Sequence, residues 1–148
     1  MQTAFDEANA VFSLGLPKIT VKLADMNGAG FCRPLLGVLA LSRKYFRGGV
    51  IYDLVNLVEE MHHMRYPASG HGGAWLRGMN AIGVEHTPHH CDKFYGWHAV
   101  QPGGQFDVWS RDFMWRYGIA PQIEAHDSQK DDAYRAAEAK YKEIKGWL

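Results

Sequence analysis

Gly96-Trp97-His98-Ala99-Val100-Gln101-Pro102-Gly103-Gly104-Gln105-Phe106-Asp107-Val108-Trp109 is the stretch on which the reading of the fold turns. Phe94 to Val100 reads as a strand, Pro102-Gly103-Gly104 as a turn, and Gln105 to Trp109 as the returning strand of a hairpin. Such a hairpin sets His98 and Asp107 nearly opposite each other on neighbouring strands. Upstream, Leu35, Leu36, Leu39, Tyr45 and Phe46 fall near one face of a helix read over roughly 33–46, with Pro34 in its first turn and Gly48-Gly49 ending it. Cys32 then stands at that helix's start.

The rest of the chain is mostly helical in pattern. Residues 1–10 read as a frayed helical lead-in, Ile19 to Leu23 as a strand, and Asp25 to Gly30 as a turn-rich loop. Ile51, Leu54, Val55, Val58 and Met61 mark a helix over about 50–63, and Ala74 to Ile82 a shorter one ended by Gly83. Ser110 caps a short helix running to Tyr117. Ser128 to Asp131 has the form of a capping box ahead of a helix over 131–145, with Tyr134, Ala137, Tyr141 and Ile144 on one stripe. Helices first, then a strand pair, then a closing helix make an α+β pattern. The expected fold is one domain, 1–148, with N-terminal helices on a small antiparallel sheet and a C-terminal helix.

Composition narrows the function classes. A chain of 148 residues suits one domain with an ordinary core. Sixteen basic and sixteen acidic residues cancel, so net charge argues for neither nucleic acid nor an anionic membrane as partner. No apolar run reaches the length of a bilayer span, and the first residues lack a basic segment followed by an apolar one. A cytoplasmic location is the expectation. Two cysteines in unlike contexts make no disulfide framework. Eight histidines, most of them between Met61 and His98, and the tryptophans of the second half are the two oddities, and either can mark a binding cleft.

A thiol attacks only as thiolate, and a helix N-terminus and a nearby imidazolium both lower its pKa. Cys32 is therefore a candidate nucleophile, His98 a candidate base, and Asp107 the acid that orients the ring. Asn27 is a candidate oxyanion donor beside the Cys32 backbone N–H, and Trp97, Gln101 and Trp109 are candidate substrate contacts. The competing reading makes Cys32 a small buried hydrophobe and Asp107 a turn or edge residue.

Gly30-Phe31-Cys32, His98-Ala99-Val100 and Asp107-Val108-Trp109-Ser110-Arg111-Asp112-Phe113 together resemble the papain-like and transglutaminase-like cysteine hydrolases, especially bacterial and phage amidases, peptidases and glutamine deamidases. The resemblance covers three short patches. It implies a papain-like α+β fold and attack on an amide carbonyl, with Cys32, His98 and Asp107 in the roles given above. The Asp-Cys-Ser-Gly and Gly-Ser-Cys-Trp signatures of two branches are absent. The implied substrate is a peptide, an isopeptide or a side-chain carboxamide, and no cofactor is needed.

Two further constellations stand beside the thiol. His86, His89, His90 and Cys91, with His62, His63 and His71 upstream, offer borderline ligands for zinc. Adjacent His62 and His63 diverge on a helix, whereas Glu59 and His63, at i and i+4, share a face. Glu59 and Glu60 beside these histidines are the alternative acid–base pair. A non-enzymatic reading uses the His- and Trp-rich surface at an oligomer interface, as in a phage or mobile-element assembly protein. Partners are accordingly a peptide or protein substrate, a small molecule, or a second copy of the chain.

Overall fold

Val38-Leu39-Ala40-Leu41-Ser42 is apolar without alternation, and four of its five side chains are buried. That pattern belongs to a strand covered on both faces. In a computed structural model, which describes residues 1–43, 50–86, 98–119 and 132–146, this segment is β3, the middle strand of a three-stranded sheet. β1 (Val21–Ala24) lies parallel to it, with Val21 opposite Leu39, and β2 (Gly30–Arg33) antiparallel, with Cys32 opposite Leu39. Of the helix expected over 33–46, residues 44–46 lie outside the described residues, and the described part is instead the end of β2, a single 3-10 turn at Pro34–Leu36, and β3. Gly37 is the reason: at φ +59° it takes the left-handed conformation that reverses the chain. Of the leucines expected on a core face, Leu39 is buried in β3, whereas Leu35 is 98% exposed and Leu36 67%.

α1 (Gln2–Val11) is no frayed lead-in. Ala4, Phe5 and Ala8 are buried at helical spacing and pack on α2 (Val50–Arg65). α2 is the spine of the molecule: Leu54, Val55, Leu57, Val58 and Met61 are all fully buried beneath α1, β2, β3 and α3 (Gly73–Ala81). α3 comes close because Gly78 has no side chain. A Cβ there would lie 2.8 Å from His62 Cδ2 and 3.1 Å from Tyr66 Cε2.

The hairpin expected across Pro102-Gly103-Gly104 is a strand-to-helix junction instead. β5 (His98–Val100) pairs antiparallel with β4 (Val84–His86), setting His98 opposite His86, and Gln105 to Arg116 form α4. Phe106, Trp109 and Phe113 repeat at helical spacing and are buried, with Trp109 edge-on to Phe12 at 5.4 Å. The five residues read as a strand are too few to separate the two periods; the repeat declares itself only by Phe113. Asp107 sits in the first turn of α4, accepting the Gly103 N–H at 2.8 Å and the Arg111 Nε–H at 2.7 Å, a placement favoured by the helix dipole.

α5 (Asp132–Ile144) closes the core with Ala137, Tyr141 and Ile144. Its anchor is polar: the Tyr141 hydroxyl donates to Asp53 at 2.6 Å, and Lys145 Nζ reaches Asp53 at 2.7 Å and the Ser42 carbonyl at 2.9 Å. These groups are buried, Lys145 and Asp53 almost completely. Burial raises the Asp53 carboxyl above its usual range, against the pull of Lys145 and Tyr141. The fold is thus a single α+β domain with a C-terminal helix. Its main sheet is mixed, β1–β3 being parallel and β2–β3 antiparallel, whereas the two-stranded β4–β5 sheet is antiparallel throughout. No helix among the described residues is long and apolar enough to cross a membrane.

Candidate functional site

The site lies where β2 meets the C-terminal half of α2. Ala29 O accepts from Ser42 N at 2.8 Å, so residues 29, 31 and 33 bond to β3 and the Cys32 N–H points to the open edge of the sheet. An edge N–H facing a helix needs a partner. Glu60 is the group beside it: its carboxylate lies close enough to the backbone N–H and the thiol of Cys32 for both to favour its charged form. The approach is close because Gly30 lacks a Cβ, which would stand 2.9 Å from the Ala40 carbonyl and 3.4 Å from Glu60 Cγ.

Burial pushes the Glu60 carboxyl up to about 7, opposed by its bonds to Cys32. Burial also pushes the Cys32 thiol up to about 12, and the neighbouring Glu60 charge adds to it. Cys32 is therefore a protonated hydrogen-bond donor at neutral pH, the reverse of an activated thiolate.

Around this pair opens a cleft of about 390 Å3, lined by Phe31, Cys32, Glu60, His63 and His71 together with Pro34 and Pro67. Glu59 stands one helical turn before His63, and its Oε1 lies 3.4 Å from His71 Nε2. His71 comes from the loop between α2 and α3, shaped by two successive turns in which Ser69 N–H donates to Tyr66 and Gly72 N–H to Ser69. Hydrogen bonding to Glu59 raises the His71 pKa, whereas burial lowers that of His63. Fully buried Trp75 packs against the two histidines, and its Nε1–H donates to the Glu59 carbonyl at 3.3 Å. The His63 ring stacks on the indole at 5.0 Å and 17°, and His71 meets it edge-on at 4.9 Å. His86 stacks on His71 at 5.4 Å. The donor atoms of Glu59, His63 and His71 all lie within 4.8 Å of one another.

Several residues singled out in the sequence are placed elsewhere. Cys32 is in a strand rather than at the start of a helix. The Asp107 carboxylate is committed to Gly103 and Arg111 and does not line the Cys32 cleft. His98 is opposite His86 on β5 rather than across a turn from Asp107. Asn27 is exposed in the loop before β2, Gln101 bonds to Glu85, and Trp109 is core, its Nε1–H directed at Glu7. His89, His90, Cys91, Trp97 and the capping box at 128–131 lie outside the described residues.

The Glu59–His63 spacing on α2 is the part of the cluster that the sequence displays, and His62 does diverge from it, bonding to the Val58 carbonyl at 2.8 Å. His71 carries only the weak signal of a histidine among glycines after Pro67. Trp75 gives no signal that it lies under both rings. No family model, curated protein or solved structure matches the chain.

Proposed function

We propose that the protein is a small hydrolase acting on an amide or ester carbonyl, with its chemistry run by the Glu/His cluster rather than by the thiol. The carrying observation is that one open cleft gathers Glu60, His63, His71 and Cys32, with Glu59 behind the second histidine. In this reading Glu60 takes a proton from an attacking water. His71, whose protonated form the Glu59 carboxylate favours, supplies the positive charge that a developing oxyanion needs. The carbon–nitrogen or carbon–oxygen bond then breaks, and the proton on Glu60 passes to the leaving group. Cys32 lies beside the Glu60 carboxylate and favours its charged form. Phe31, Pro34 and Pro67 favour a substrate with an apolar group beside the scissile bond.

The test is hydrolysis of a panel of chromogenic amides and esters by the wild type, Cys32→Ser and Glu60→Gln. Cys32→Ser keeps most of the activity, while Glu60→Gln loses about 100-fold or more. The inverse result, with the thiol essential and Glu60 dispensable, returns the chain to the cysteine-hydrolase reading. A second reading, a binding or assembly protein, draws on the exposed pair Leu35 and Leu36 at the turn between β2 and β3. If that reading holds, the wild type is oligomeric and changing both leucines to glutamate makes it monomeric.

A further inference from the structure

We propose that Glu59, His63 and His71 form a three-ligand site for a divalent ion of the zinc class, with the fourth coordination position open to the cleft. The site rests on the cleft reading above, because that open position faces the water that Glu60 would deprotonate.

Two imidazoles and one carboxylate make a donor set that late first-row ions accept, and zinc takes it in catalytic sites with a solvent ligand completing the tetrahedron. The geometry is close to what the ion requires. With metal–ligand bonds of about 2.0–2.2 Å, donors at two corners of a tetrahedron stand roughly 3.3–3.5 Å apart. The Glu59 Oε1 to His71 Nε2 distance is already 3.4 Å. The full set lies within 4.8 Å, so the cluster closes on an ion with a shift of about 1 Å. Two ligands are fixed on one face of α2 by their i, i+4 spacing, and the third arrives on the loop between α2 and α3.

The surroundings serve the same end. Trp75 bonds the main chain of Glu59 and stacks on His63, fixing both the backbone and one ring plane, and His86 stacks on the other ring. His63 and His71 line the cleft, while Glu59 stands behind them. An ion held by all three therefore presents its remaining position to the side on which Glu60 lies.

The experiment uses the full chain, stripped with a chelator and titrated with zinc(II) alone against a chromogenic competitor. Circular dichroism confirms the fold of every variant. The wild type takes one equivalent. His71→Ala, whose side chain is mostly exposed and whose loss leaves the core intact, weakens binding by more than about 100-fold, as does Glu59→Gln. The variant His89→Ala/His90→Ala/Cys91→Ser still takes one equivalent. Cobalt(II) in place of zinc gives the visible absorption of a four-coordinate ion without a thiolate charge-transfer band. Unchanged binding in His71→Ala, loss of binding in the triple variant, or a thiolate band each overturns the donor set. Binding is read without substrate, so a failed zinc titration leaves metal-free hydrolysis by Glu60 standing. An inactive protein that binds zinc through these ligands refutes the hydrolase instead.

Discussion

Replacing Glu60 with glutamine should speed the alkylation of Cys32. In a Cys91→Ser background, Cys32 is the only thiol that iodoacetamide can report. With its pKa pushed to about 12, Cys32 at pH 8 carries roughly one part in 10,000 as thiolate, against about one tenth for an ordinary thiol near 9.0. That is a deficit of about 1,000-fold. The rarer thiolate is also the stronger nucleophile, and a Brønsted slope of about 0.4–0.5 over this interval returns roughly 15- to 30-fold. Cys32 should therefore react some 30- to 60-fold more slowly than N-acetylcysteine, and more slowly still where the strand shields the sulfur. Glu60→Gln removes the neighbouring charge and leaves burial, so the rate rises without reaching that of the small thiol. His98→Ala leaves it unchanged. Alkylation at pH 8 as fast as that of N-acetylcysteine, slowed by His98→Ala, would refute this account and restore an activated nucleophile.

Asp107→Asn weakens an ion pair and a bond at the start of α4. Thermal or urea unfolding should record a loss of about 1–2 kcal/mol, with Cys32 alkylation unaltered. Glu60 provides a pH signature in chelator-treated protein. Its folded pKa, about 7, lies above the unfolded value near 4.5, so the folded state holds the extra proton between them and stability falls as pH rises through that window. The fall is at most about 3 kcal/mol, read as a drop in urea midpoint from pH 5 to 7.5, and Glu60→Gln abolishes it. Lys145→Met strands Asp53 in the core and should cost about 3–5 kcal/mol, while adding Asp53→Asn recovers part of the loss.

The α+β class and most helices were legible because the apolar residues of α2, α3 and α5 keep a helical period over enough turns to exclude a strand. The two misread segments share a cause. Over 33–42 a central strand and a buried helix are both simply apolar, and the deciding residue, Gly37, acts through one backbone angle. Over 105–109 the alternation of Phe106 and Val108 imitated a strand although Trp109 and Phe113 complete a helical stripe. Pairing β5 with β4 joins segments separated in sequence, and no local pattern announces that. The same holds for the site. Glu59 and His63 are helix neighbours and can be found by counting, whereas the meeting of Glu60 with Cys32, and of His71 with Glu59, is set by how β2 and a loop close on α2.

The polar clasp at the foot of α5 also sets a clock. Asp53 finds its hydroxyl partner 88 residues downstream, and Ser42 finds its lysine 103 residues downstream. At a ribosomal pace of about 5–20 residues per second, the stretch from Asp53 to Tyr141 takes roughly 4–18 s to emerge. Through that interval α2 must wait beside β3 with its carboxylate still wet, because dehydrating it before the lysine arrives is unfavourable. Local helices form in microseconds, so synthesis rather than search limits when the core can shut. The nascent chain thus spends seconds as a half-built domain whose central helix has an apolar flank uncovered. That is the period in which a chaperone would be most needed and a synonymous change in codon speed most felt.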